Sequence, residues 1–147
     1  MRASMRIMAQ ATPDATLLRI KDPMGEIETT YDLPGNLTII KAVGKMEPGD
    51  FREWTASYYT GPVTLHTLWD LTQADLSQIQ AADLRDDAAH TKLLADVRKG
   101  GKTAIVSANT LAYGMSRMLE AFYELEEIPF EVQVFHSLEE ARAWLDA

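Results

Sequence analysis

The second half of the chain alternates short β-rich runs with longer stretches of helical periodicity, and this alternation constrains the fold more than any other feature. Residues 63–71, 103–107 and 130–135 are rich in β-branched, aliphatic or aromatic side chains and are bounded by turn signals. A stretch with apolar residues at helical spacing follows each run. Strands that alternate with helices of this length need crossover connections, so the pattern predicts an α/β fold with a largely parallel sheet.

The first part of the chain adds strand signals. Residues 16–21 and 26–33 have strand-like patterns, and the more apolar run 36–44 follows a Pro-Gly turn signal. Runs 26–33 and 36–44 therefore predict an antiparallel hairpin at one side of the sheet. Residues 1–14 are polar and aperiodic, and we interpret them as a flexible leader that precedes a single domain over 15–147.

Helix signals are clearest at the helix ends. Ser137 and Glu140 have the spacing of a capping box, in which each side chain accepts a hydrogen bond from a free N–H of the first turn. Asn109 or Thr110 is the predicted cap of the preceding helix, which ends before Pro129. The inner faces are predicted to be Phe51, Trp54 and Tyr58; Leu76, Ile79, Leu84, Leu93, Leu94 and Val97; Leu111, Met115, Met118 or Leu119, Phe122 and Leu125; and Leu138, Ala141, Trp144 and Leu145.

Composition excludes several classes of function. The chain has 14 Lys plus Arg against 22 Asp plus Glu and a formal charge of −8, which argues against nucleic acid or an anionic membrane surface as partner. It has no cysteine, so disulfides, thiolate metal sites and a Cys nucleophile are excluded. The sequence contains no recognisable signal peptide. It also lacks the run of about 18 apolar residues that an integral membrane segment needs, so a cytoplasmic location is expected.

No catalytic or cofactor-binding signature is found in the sequence. The triplet at 101–103, Gly-Lys-Thr, imitates the end of a phosphate-binding loop, but Asp96 occupies the position of the required glycine and the triplet precedes a strand. The histidines His66, His90 and His136 are scattered and define no triad. We therefore predict a protein without a cofactor and without enzymatic activity.

An acidic segment lies within the predicted helical region 75–99. Asp83, Asp86, Asp87 and His90 can share one side of a helix, an arrangement able to bind a divalent ion. A solvated acidic face is the simpler interpretation, and we adopt it, so no metal site is predicted.

Five segments together resemble those of a known family. They are residues 44–46 and 50–51, the strand end 68–71, the run 101–106 and the closing stretch 134–145. In one-letter code the most specific part reads F-x-S-L-E-E-A-x-x-W-L. In this combination the chain resembles the SpoIIAA-like family, within the wider STAS (sulfate transporter and anti-sigma-factor antagonist) fold. The resemblance covers roughly residues 15–146. It implies a mixed sheet of four or five strands backed by helices, and a regulatory or small-molecule-binding role without catalysis.

The resemblance also suggests a partner or phosphorylation site. In the anti-sigma-factor antagonist branch, a serine at a helix start, just after a strand ending Asp-Leu-Ser, is the phosphorylated switch. Here Asp70 and Thr72 match the strand end, and Ser77 is the nearby serine. The short turn with its glycine is absent, so the alternative is that Ser77 is an ordinary helix-start residue. Asp70, Thr72 and Ser77 are thus the candidate site for a protein partner.

A second hypothesis is that the chain carries or senses a small apolar molecule bound between helices and sheet. Apolar sites with few polar groups suit such ligands, although a packed core needs the same residue types. The alternating run 130–135 is also a candidate for pairing in a homodimer. The candidate pocket residues are Trp54, Trp69, Met115, Met118 and Phe122.

Overall fold

The fold is taken from a computed structural model, which describes residues 4–8 and 25–147. Six strands form one sheet in the order β1-β2-β3-β4-β5-β6. The strands are β1 (Ser4–Met8), β2 (Glu26–Asp32), β3 (Leu37–Lys45), β4 (His66–Asp75), β5 (Lys102–Val106) and β6 (Glu131–Phe135). The helices are α1 (Asp50–Tyr58), α2 (Ala81–Leu94), α3 (Thr110–Leu125) and α4 (Leu138–Asp146), with a 3₁₀ turn at Ala95–Arg98.

Sheet topology confirms the predicted α/β class. Strands β3, β4, β5 and β6 run parallel to one another, while β2 and β3 form the antiparallel hairpin. Strand β6 lies at the edge of the sheet, as its alternating sequence predicts. The predicted strand at 16–21 lies outside the described residues.

Strand β1 differs from the expectation of a flexible leader. Its residues pair in parallel with β2, from Ser4 opposite Glu26 to Met8 opposite Thr30. Backbone hydrogen bonds to the open edge of β2 need no apolar alternation in the added strand, so the pairing leaves little trace in the sequence. The sheet therefore has one strand more than the family resemblance implies.

The helices cover both faces of the sheet. Trp54 of α1, Leu84 of α2 and Met115 of α3 belong to one apolar cluster with Ile40 and Ile105 of the sheet. A separate cluster joins α4 to the other face through Ala141, Leu145, Leu68 and Ala104. Since each crossover from β3 to β6 steps the same way across the sheet, the right-handed rule places α1, α2 and α3 on one face.

Helix α1 packs as its sequence predicts. Trp54 and Tyr58 are buried, and Phe51 packs against the same cluster. The Trp54 indole N–H donates to Thr29 Oγ1 at 2.8 Å, and the Tyr58 hydroxyl lies 2.7 Å from Thr38 Oγ1. The polar atoms of both buried aromatic side chains are therefore satisfied, which removes the main cost of burying them.

Helix α3 begins as predicted, and its inner face is predicted in part: Met115, Leu119 and Phe122 belong to the core cluster or pack against it, whereas Leu111, Met118 and Leu125 are exposed. Asn109 Oδ1 accepts a hydrogen bond from the Ala112 N–H at 2.8 Å, which confirms the cap. Ala112 and Ser116 face the sheet, and the Ser116 hydroxyl lies 2.8 Å from that of Ser107. Small residues allow the helix to approach the sheet closely, so the larger side chains turn outward. Leu111 is 51% exposed, Met118 39% and Leu125 79%.

Strand β4 is longer than predicted, and α2 begins later. Lys45 of β3 pairs with Asp75, so the long neighbouring strand carries β4 well beyond Leu71. The inner face predicted beyond Leu84 is also wrong in part, because Leu93 is 80% and Val97 68% exposed. Gly100 has a φ of 84° and ends this helical region as expected of a left-handed cap.

Candidate functional site

A cavity of about 50 Å³, partly open to solvent, lies between the sheet and helices α1, α2 and α3. Its wall is mostly apolar. Aliphatic and aromatic side chains come from α1, β4, α2, β5, α3 and the segment that joins β4 to α2. The lining residues are Phe51, Thr55, Trp69, Leu71, Leu76, Ile79, Leu84, Asp87, Thr103, Ile105, Met115, Ser116, Leu119 and Tyr123.

Asp87 of α2 and Tyr123 of α3 bring ionisable groups to this wall. Burial, together with the negative charges of Asp83 and Asp86, raises the pKa of the Asp87 carboxyl to about 7, and the positive charge of Arg52 of α1 opposes this shift. Burial also raises the pKa of the Tyr123 phenol above its ordinary value, and the charge of Asp87 acts in the same direction. The cavity thus contains a carboxyl that changes its charge near neutral pH.

The predicted pocket residues separate into two groups. Trp69 and Met115 line the cavity, and Trp54 packs edge-on against Trp69 with ring centroids 4.8 Å apart. Met118 and Phe122 are not among the lining residues. Met118 is on the outer side of α3, and the guanidinium of Arg85 lies 5.2 Å from the centre of the Phe122 ring. Met118 and Phe122 lie outside the wall of this cavity, although Phe122 packs against the same apolar cluster, because Ala112, Met115 and Ser116 are the buried residues of α3.

Sequence reasoning missed Asp87 and Tyr123. The acidic segment was interpreted as a solvated face, yet Leu84, Ala88 and Thr91 are buried. Asp87 is three residues after Leu84 and four before Thr91, which places it beside this buried stripe. The sequence alone shows this spacing, and the spacing distinguishes Asp87, which lies beside the buried stripe, from the exposed Asp86.

A second cavity of about 20 Å³ adjoins the first and is lined by Arg98, which is 3% exposed. The Arg98 Nε donates to the Leu65 carbonyl at 3.1 Å. Its Nη2 donates to the Lys102 carbonyl at 3.1 Å and to Thr103 Oγ1 at 2.8 Å. The guanidinium carbon also lies 4.1 Å from the centre of the Phe130 ring. Through these contacts Arg98 joins the 3₁₀ turn to the sheet.

Asp70 and Thr72 belong to an irregular part of β4. The register between β3 and β4 shifts after Lys41, where Asp70 is paired. Asp70 Oδ1 accepts hydrogen bonds from the N–H of Thr72 at 3.0 Å and from its hydroxyl at 2.6 Å. Both residues therefore stabilise a bulge inside the strand, and Asp70 is buried.

Ser77 is exposed in the loop between β4 and α2. Its N–H donates to Asp75 Oδ1 at 2.9 Å, and hydrogen bonds from the Ser77 hydroxyl and N–H lower the pKa of the Asp75 carboxyl. Helix α2 begins only at Ala81, with Gln80 as its cap residue. The expectation that Ser77 is the helix-start residue is therefore wrong, because β4 and its loop extend further than predicted.

Exposed side chains gather where the parallel strands end. We define the carboxyl-end surface as five exposed residues of the segments that follow β4, β5 and β6. Leu111 and Leu138 are 51% and 42% exposed, and the imidazole of His136 stacks on the Tyr113 ring with centroids 4.1 Å apart. Crevices outside the carboxyl ends of strands are the usual binding position in α/β sheets. The residues of the surface are Ser77, Asn109, Leu111, His136 and Leu138.

The family model described as SpoIIAA-like matches residues 37–146, from β3 to the end of α4. The chain belongs to the SpoIIAA-like family. No curated protein and no solved structure gives a match. Within residues 4–8 and 25–147 of this SpoIIAA-like chain, no helix is long and apolar enough to cross a membrane. The same part of the chain contains no His, Asp and Glu group suited to a metal ion.

Asp87 predicts how the stability of this SpoIIAA-like domain depends on pH. Its folded pKa of about 7 exceeds the ordinary 3.8, so between these values the folded state holds the proton more tightly than the unfolded state. The contribution of Asp87 to the free energy of unfolding therefore falls as pH rises from 4 to 7 and is constant above. We expect the free energy of unfolding of Asp87→Asn, relative to that of the wild type, to increase by about 1–3 kcal/mol between pH 4 and pH 8.

Urea denaturation of both proteins across this range measures the effect. Asp86→Asn, which removes an exposed charge from the same helix, is the control. A difference between wild type and Asp87→Asn that does not change with pH would show that the Asp87 carboxyl titrates normally.

Proposed function

We propose that this SpoIIAA-like chain is a non-catalytic regulatory module that binds a partner protein through the carboxyl-end surface. The observation that carries the proposal is the position of Leu111 and Leu138. Each lies in the first turn of a helix, and both helices start at the same end of the sheet. Two half-exposed leucines, each two residues along the chain from one ring of the stacked Tyr113–His136 pair, give a surface with apolar anchors and a polar surround.

Ser77 supplies a means of regulating that surface. Its hydroxyl and N–H both interact with the Asp75 carboxylate, so the loop conformation depends on a neutral serine. A phosphate on Ser77 replaces the donated hydrogen bond with repulsion between two negative groups. The loop would then rearrange, and partner affinity would change with it. Asp70 and Thr72 act indirectly, because their bulge positions the end of β4.

We expect Leu111→Lys to weaken binding of the partner protein at least tenfold, because it places a charge at an apolar contact. Folding is expected to change by less than about 0.5 kcal/mol, as is usual for an exposed position. The measurement is quantitative affinity capture of partners from the native host, followed by titration of the recovered partner.

Leu93→Lys is the matched control. Leu93 is 80% exposed and lies at the other end of the helical layer, where Lys92 Nζ donates to the Glu127 carbonyl. Equal loss of the partner with both lysine variants would contradict binding at the carboxyl-end surface.

A second candidate function is the binding of a small apolar molecule, and the cavity between the sheet and α1, α2 and α3 favours it. Its wall combines apolar side chains with few polar groups, as ligand sites usually do. At about 50 Å³ it is smaller than the roughly 150 Å³ that accommodates benzene. The candidate ligand is therefore a molecule of few heavy atoms, or one end of a longer molecule. Pairing of β6 in a homodimer stays a prediction.

A further inference from the structure

The cavity wall has more specific chemistry than its apolar character suggests. Three aromatic residues from three different elements line it: Phe51 of α1, Trp69 of β4 and Tyr123 of α3. Asp87 of α2 lines the same space, and no Lys, Arg or His is among the lining residues. Phe51 and Trp69 meet edge to face with ring centroids 5.6 Å apart, so the two rings present surfaces at a steep angle to each other.

Aromatic faces attract cations because the ring quadrupole is negative above and below its plane. A carboxylate next to such faces adds a full negative charge, and the apolar surroundings strengthen the attraction by lowering the local dielectric. We propose that the cavity binds the primary ammonium group of a small alkylamine, with Asp87 as counter-ion and the rings of Phe51, Trp69 and Tyr123 around the cation. This inference rests on the second candidate function, which it deepens by naming the ligand class.

Size and charge both favour an ammonium group. A space of about 50 Å³ suits an ammonium group with a short alkyl chain better than a bulky ring system. A carboxylate ligand would meet Asp87 in the cavity, with the negative Asp83 and Asp86 close by on the same helix. Arg52 of α1 is the basic group that acts on Asp87, and it is not among the lining residues. Arg98, in the adjoining cavity, already donates to its own acceptors.

Binding of an ammonium ion should depend on pH in a defined direction. The groups that act on Asp87 are Asp83 and Asp86 from its own helix and Arg52 from α1, and Tyr123 faces it from α3. With the pKa of Asp87 near 7, the carboxyl is largely neutral below that pH and provides no counter-ion. The affinity for an alkylammonium ion is therefore expected to fall about tenfold per pH unit below 7 and to be constant from there to about pH 9, where the amine is still charged.

The test uses three probes with one carbon skeleton: n-butylamine, butan-1-ol and butyrate. Titrations at pH 8 follow the tryptophan fluorescence, to which Trp69 of the cavity wall contributes together with Trp54 and Trp144, and the separate indole N–H signals in two-dimensional NMR spectra. We expect n-butylamine to bind at least tenfold more tightly than butan-1-ol and butyrate to give no saturable change. Asp87→Asn should lose at least tenfold in amine affinity, whereas Asp86→Asn, which removes the same formal charge from an exposed position near Asp87, should lose less than about twofold, because solvent screens its charge.

The outcomes separate this inference from the candidate function beneath it. Equal binding of the amine and the alcohol, or undiminished amine binding by Asp87→Asn, would overturn the ammonium assignment while leaving an apolar ligand site. Saturable binding of none of the three probes would overturn both. Equal losses in Asp87→Asn and Asp86→Asn would attribute amine binding to general surface charge and also overturn the assignment.

Discussion

Gly101→Ala is expected to destabilise the domain by more than about 3 kcal/mol. A Cβ at Gly101 would lie far inside van der Waals contact with the Leu65 carbonyl oxygen and 3.1 Å from that of Arg98. Both obstacles are backbone atoms. The Gly101 carbonyl also accepts from the Glu131 N–H at 3.0 Å, and its own N–H donates to the Arg98 carbonyl at 2.9 Å. The strand cannot move aside without breaking these bonds.

The free energy of unfolding of Gly101→Ala, measured in urea, checks this expectation. Gly114→Ala is the matched control, because a Cβ at Gly114, inside α3, meets no atom within 4 Å. That substitution should stabilise the protein by about 0.5–1 kcal/mol through helix propensity. If the two variants were equally stable, the close approach of Gly101 to Leu65 would not exist in solution.

Arg98→Met is expected to cost about 3–5 kcal/mol in unfolding free energy. Methionine keeps much of the apolar volume but removes every donor, which leaves the carbonyls of Leu65 and Lys102 and the hydroxyl of Thr103 without the guanidinium. A buried acceptor that loses its donor costs about 1–3 kcal/mol. The stacking of the guanidinium on the Phe130 ring is lost as well.

Thermal and urea unfolding measure the effect of Arg98→Met. Arg117→Met serves as control, since Arg117 has a side chain that is 61% exposed and pairs with Glu120 one helical turn away at 3.1 Å. Exposed ion pairs of this kind contribute little to the free energy of unfolding, so Arg117→Met is expected to cause no measurable change in stability. Near wild-type stability of Arg98→Met would show that solvent replaces the guanidinium in its hydrogen bonds.

Much of the fold could be predicted because local signals agree with the tertiary structure. The spacing of Trp54 and Tyr58 defines the buried face of α1. Ser137 caps α4 and accepts from the Glu140 N–H at 3.2 Å as predicted, whereas the Glu140 carboxylate accepts from the Ser137 hydroxyl at 3.3 Å and not from a backbone N–H. The turn signals on either side of β5 correctly predict its limits, and the strand is covered on both faces as expected. In these elements, hydrophobic periodicity, caps and turn residues all favour the same structure.

The errors arise where tertiary packing overrides the pattern. In α3 the sheet accepts Ala112 and Ser116 because close approach matters more than apolar area, and Met118 is consequently outside. In α2 a charge lies beside the buried stripe, so Asp87 was assigned to solvent by residue type although its spacing predicts the cavity. Trp69 could be placed at the site because it lies in a central strand beneath the helices. Residue type alone could not identify the carboxyl that lines the cavity.

The order of the strands in the sheet has a consequence for how the domain reaches its structure. Each strand from β3 to β6 pairs with the described strand before it, and each parallel pair among β3, β4, β5 and β6 is joined by one helical crossover. The partners in each parallel pair are still far apart in sequence, as Leu37 and His66 or Thr67 and Thr103 show, so the chain must close a long crossover before the pairing stabilises it, which slows folding. The domain can grow by adding one crossover at a time to the hairpin of β2 and β3. The contacts of Arg98 and Gly101 with Leu65 join the start of β4 to the start of β5. Loss of these contacts would therefore stop the stepwise assembly of the sheet between these two strands.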